Sequence, residues 1–168
     1  SETEQKRLYF ALAQAMTFAR PELVLARVLP AEKLEAVFQA ALLTGVPGFR
    51  PTADPRAVEA EYRVIERLGP QFKAALARLG REYARNASPD DVRSFVEGAE
   101  LTANRAATLL CADIEVAKAA LSGESGSRVP LRSRVRDLLL FCLSPEFAEL
   151  RSAIGVKIEI RLPGATGR

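Results

Sequence analysis

Apolar residues recur at helical spacing along almost the whole chain. From Glu2 to Ala19 they stand at Leu8, Leu12, Ala15, Met16 and Ala19, with Phe10 and Phe18 beside that stripe. "ARPEL" breaks the pattern, because a residue that precedes proline avoids the helical region. Pro21 then opens a short helix over 21–28, and Pro30 opens another, "PAEKLEAVFQAALLTG". Leu34, Val37, Phe38, Ala41 and Leu42 form the apolar face of that helix, and Gly45 is placed to cap it. The Gly- and Pro-rich stretch 45–54, "GVPGFRPTAD", reads as a loop, with Asp54 and Pro55 as cap and first residue of the next helix. Val58, Tyr62, Ile65 and Leu68 line that helix, and Gly69-Pro70 separates it from one carrying Phe72, Ala75, Leu76, Leu79 and Tyr83.

"SPDDVRSFVEGAELTANRAATLLCAD" starts with a strong helix signal. Ser88 is a cap, Pro89 a first residue, and Asp90 and Asp91 are acids at the positive helix end. The pattern predicts a buried centre of Phe95, Ala99, Ala103, Ala106 and Leu110, with Gly98 marking close approach of a neighbour and Leu138, Leu139 and Phe141 or Cys142 nearby. A break is expected near Ala112-Asp113, with Asp113 capping a helix over 113–121. After the loop 122–129, Pro130 and Ser144-Pro145 start the last two helices. The tail alternates at Val156, Ile158 and Ile160, as a short edge strand or an extended strap would. The prediction is all-α: a single-domain orthogonal bundle of about eight helices over 1–162, with a short extended C-terminal tail and disorder over 163–168.

Length and composition fit this picture: 168 residues suffice for one buried core, and 48% apolar residues are ordinary for a globular domain. No apolar run is long enough to span a membrane, and "SETEQKR" is no signal peptide. The expected location is cytoplasmic. The missing initiator Met suggests a processed or excised piece of a longer protein.

Chemistry is bounded mainly by what is missing. The chain has no His, which excludes an HExxH zinc site, a Ser-His-Asp triad and a Cys-His pair built from its own side chains. No catalytic residue, metal ligand set or cofactor is assigned. Cys111 and Cys142 lie in apolar stretches and read as buried thiols. Glu59, Glu61 and Glu66 with Arg56, Arg63 and Arg67 read as a salt-bridged helix face. The net charge of +3 does not by itself call for nucleic acid. In "RVPLRSRVR", however, Arg128, Arg132, Arg134 and Arg136 run without an intervening acid and form a candidate anion or partner patch.

The other candidate is the polar group Glu100, Asn104 and Arg105 in "ELTANRAATLLCAD". This segment resembles the downstream motif of HtpX-like and CAAX-prenyl-protease-like zinc metallopeptidases, an E-x-x-A-D followed by R-A. The resemblance matches Glu100 to the third zinc ligand and Ala103 to the alanine. Asn104 stands where the family has Asp, and Arg105-Ala106 matches the pair that follows. The HExxH helix has no counterpart. A second resemblance covers most of the chain: "ELTANRAATLLCADIEVA", "VRDLLLFCLS" and "ARPELVLARVLPAEKLEAVFQAAL" are similar to segments of a C-terminal helical region in large tetratricopeptide-repeat-associated proteins of myxobacteria and their relatives. That resemblance implies a bacterial origin and no particular activity. Together they imply a non-catalytic protein-interaction or scaffold module on a degenerate metallopeptidase-like frame, with Glu100, Asn104 and Arg105 as a structural polar network. The alternatives are part of a metallopeptidase whose His ligands lie elsewhere, and an Arg patch for nucleic acid or phospho-ligands.

Overall fold

The computed structural model describes residues 1–88 and 90–155; Pro89 and the predicted C-terminal tail lie outside them. The described residues form nine α-helices and no strand: α1 (Glu2–Phe18), α2 (Val24–Val28), α3 (Ala31–Gly45), α4 (Pro55–Glu66), α5 (Pro70–Tyr83), α6 (Asp91–Cys111), α7 (Ile114–Gly123), α8 (Leu131–Cys142) and α9 (Pro145–Ala153). The fold class is all-α, as the periodicity requires. The helices gather into two compact units, one made of Ser1–Thr17 with the chain from Leu101 onward, the other of Phe18–Glu100.

Local chemistry sets the helix ends. Asp54 Oδ2 accepts the Ala57 amide at 3.0 Å ahead of Pro55, and Ser144 Oγ accepts that of Phe147 at 3.3 Å ahead of Pro145. Between α6 and α7, Ala112 takes a left-handed conformation with φ 55°. Asp113 Oδ1 then accepts the amides of Glu115 and Val116 at 3.1 and 3.2 Å. A side chain at that φ is strained, so Ala112→Gly is expected to stabilise the protein by about 1 kcal/mol. A urea melt checks this; an unchanged or lower midpoint would count against the left-handed turn.

The first unit buries Phe10 and Ala13 of α1, Ala107 and Cys111 of α6, Ala117 and Leu121 of α7, and Leu138 of α8 as one cluster. This corrects two sequence expectations. On α1 the stripe Leu8, Leu12 and Met16 is exposed, Met16 at 71%, and the core takes the narrower line of Phe10 and Ala13. On α6 the buried line is Val96, Ala99, Ala103, Asn104, Ala107, Thr108 and Cys111, while Phe95, Leu110 and, on α8, Leu139 are exposed. Burial pushes the thiols of both Cys111 and Cys142 up from their ordinary value, so neither is poised as a nucleophile. Arg151 of α9 is buried and donates to the Leu109 carbonyl at 3.2 Å, in the last turn of α6, where the helix dipole favours a cation.

The second unit has two clusters. Ala36 and Ala40 of α3 meet Val58 and Ile65 of α4, and Leu34 meets Ala26 of α2 with Val96 and Ala99 of α6. Gly45 is not the cap: α3 continues through it, and Val46 caps the helix. It is a glycine because the backbone of Ala77 on α5 lies where its Cβ would be. Gly98, read as the close-approach residue, has open space around its missing Cβ. Gln39, buried on α3, anchors the 46–54 loop. Its Oε1 accepts the amides of Thr52 and Ala53 at 2.8 and 3.0 Å, and its Nε2 donates to Glu35 and Thr52 at 2.6 and 2.9 Å. The acidic face of α4 is salt-bridged, but mostly to other elements: Glu59 pairs with Arg63, Glu61 with Lys33 and Glu66 with Lys73.

Candidate functional site

Leu34, Val37, Phe38 and Ala41 of α3 form one wall of an apolar groove in the second unit. Leu25 of α2 and Val92 and Phe95 of α6 form the rest, and the groove encloses about 420 Å³. Leu25 and Phe95 stand 46% and 43% exposed. Its polar residues are Tyr83, Asp91 and Glu22.

Tyr83 and Asp91 form a fixed pair at this site. The rings of Phe38 and Tyr83 meet edge to face at 5.0 Å. The Tyr83 hydroxyl donates to Asp91 Oδ2 at 2.6 Å, and the Ser88 amide donates to the same oxygen at 2.8 Å. Ser88 Oγ accepts the Asp90 amide at 3.4 Å, but α6 begins at Asp91, three residues past the expected Ser88 cap. The Tyr83 hydroxyl and then the Ser88 amide hold the Asp91 carboxyl below its usual range. Burial, and then the Asp91 hydrogen bond, push the Tyr83 hydroxyl up to about 12.

The pair's stability contribution therefore has two edges. The Asp91 part is full above the ordinary carboxylate pKa and is lost as pH falls through the lowered value. The Tyr83 part is full below the ordinary pKa of 10 and is lost as pH rises through about 12. A tyrosinate absorbance titration is expected to show a component near 12 that Tyr83→Phe removes. Ordinary titration of that component would contradict the pair. A second cavity of about 240 Å³, bordered by Gln39, Phe49 and Thr52, shares Phe38, Tyr83 and Val92 with the first.

The residues singled out by sequence are distributed differently. Glu100 belongs to the second unit, Asn104 and Arg105 to the first. Arg105 is engaged by Asp137 of α8 in a two-point ion pair and lies over the Phe141 ring. Asn104, with no exposed surface, accepts Gln14 Nε2 on its Oδ1 at 2.8 Å. The same Gln14 nitrogen reaches Glu124 at 2.9 Å, and Arg134 donates to Glu124 at 2.5 Å and to the Leu121 carbonyl at 3.3 Å. A polar chain Asn104–Gln14–Glu124–Arg134, buried at its two ends and half-buried between, thus joins α1, α6 and α8 within the first unit. Asn104 and Arg134 were both singled out by sequence, in two separate groups. Gln14, Glu124 and the inward turn of Arg134 gave no signal.

The Arg patch is divided by this chain: Arg134 is 3% exposed, whereas Arg128, Arg132 and Arg136 are exposed. Among the described residues no three of His, Cys, Asp or Glu gather where they could hold a metal ion. No described helix is long and apolar enough to cross a membrane. No protein-family model, curated protein or solved structure matches the chain.

Proposed function

We propose that the chain is a non-catalytic protein-interaction or scaffold module that receives an amphipathic helix of a partner protein in the groove of the second unit. The observation that carries this reading is the groove itself, an open apolar trough with exposed Leu25 and Phe95 at its edges. Helix-in-groove recognition needs an apolar channel for side chains at i, i+3, i+4 and i+7 and no reacting group. The paired Tyr83 and Asp91 are held in their resting protonation states, neutral phenol and carboxylate, rather than poised for proton transfer. The frame remains our metallopeptidase-like proposal without a metal site, akin to the helical region of repeat-associated bacterial proteins and placed in the cytoplasm. A metallopeptidase completed by His from elsewhere has only Glu100 to build on. Phosphate binding by the Arg patch would lack Arg134.

The test is fluorescence anisotropy of an uncharged synthetic helical peptide of Leu, Ala and Gln with leucines at i, i+3, i+4 and i+7. Saturable binding that Ala41→Trp abolishes by filling the groove is expected. No binding, or binding indifferent to that substitution, contradicts the reading.

A further inference from the structure

The groove is not neutral. Of the residues that line it, the charged ones are Glu22 and Asp91, and no Lys or Arg is among them. Asp91 keeps its carboxylate at the groove by accepting from Tyr83 and Ser88 on one oxygen, Oδ2. Glu22 is exposed, and its ion pair with Arg20 is a surface pair, exchangeable at little cost for a cation brought by a ligand.

An acidic partner would meet two carboxylates at the rim of an apolar wall and be repelled by both. A basic partner would add charge-assisted bonds at the same points. From this charge complementarity we infer that the partner segment is a basic amphipathic helix, its apolar face between Phe38, Val92 and Phe95 and its flanking Lys or Arg residues on Asp91 and Glu22. The inference rests on the docking reading above and adds the sign of the partner's charge. Rim charges act mainly on association rate and salt dependence, so the preference should weaken as salt rises.

Calorimetric titration of the full chain tests it with a Leu/Ala/Lys helical peptide, its Leu/Ala/Glu counterpart and a phenylalkylamine. The Lys peptide is expected to bind wild type roughly tenfold or more tighter than the Glu peptide, and the margin should vanish in Glu22→Gln/Asp91→Asn, where Asn still accepts from Tyr83. Phe95→Ser, at an exposed position that leaves folding intact, should weaken both peptides. Equal binding of the two peptides overturns the charge inference while the docking reading stands. Binding of the amine alone overturns both in favour of a small-ligand site. Binding of no probe, or binding unaffected by Phe95→Ser, overturns both outright.

Discussion

Gly45→Ala is expected to destabilise the protein by about 3 kcal/mol or more, lowering the melting temperature by roughly 6–12 °C. The methyl group would fall on the Cα and carbonyl of Ala77, which are backbone atoms with no rotamer to change. Either α3 and α5 separate, opening Gly80 and its neighbours Leu42 and Val46, or the last turn of α3 unwinds. The gain in helix propensity from Gly to Ala, about 1 kcal/mol, is too small to offset this. Gly98→Ala is the control: its Cβ meets nothing within 4 Å, so the same substitution should be neutral or stabilise by up to about 1 kcal/mol. A Gly45→Ala melt within about 1 kcal/mol of wild type would mean that the two helices do not approach this closely.

Glu124→Ala is expected to be the most damaging single charge removal, at about 3 kcal/mol. It strips a buried guanidinium of its carboxylate and takes an acceptor from Gln14. Asp137→Ala removes the partner of Arg105, a cation with nearly half its surface in water, and should not exceed about 1 kcal/mol. Glu124→Leu/Arg134→Met should be milder than Glu124→Ala, because no charge is left buried. Equilibrium urea unfolding of the three variants orders them. If Asp137→Ala proved the worst, the polar chain from Asn104 to Arg134 would not be a principal tie among α1, α6 and α8.

The helices were legible because their ends carry local chemistry. Asp54-Pro55, Ser144-Pro145 and Asp113 act through atoms within three residues, so the sequence alone suffices. The choice of buried face was less legible. Residues 8–19, "LYFALAQAMTFA", contain no charge, so periodicity offers two apolar lines and favours the bulkier Leu8, Leu12 and Met16. The structure buries Phe10 and Ala13 instead. On α6 the same weighting favours Phe95 and Leu110 over Ala107 and Cys111, although close helix packing rewards small residues. The groove was hidden for the same reason: Val37, Phe38 and Phe95 look like core in a pattern that cannot tell a filled cavity from an open one. Arg134 stands among other arginines in sequence, and only the position of Glu124 withdraws it from solvent.

The central claim is that the second unit presents its α3 groove to a partner helix. Amide chemical-shift mapping with the Leu/Ala/Lys peptide tests it most directly. The account expects the largest changes at Val37, Phe38, Ala41, Val92 and Phe95, with the Leu8, Leu12 and Met16 face of α1 unmoved. Changes concentrated on that α1 face, with the groove silent, would contradict it.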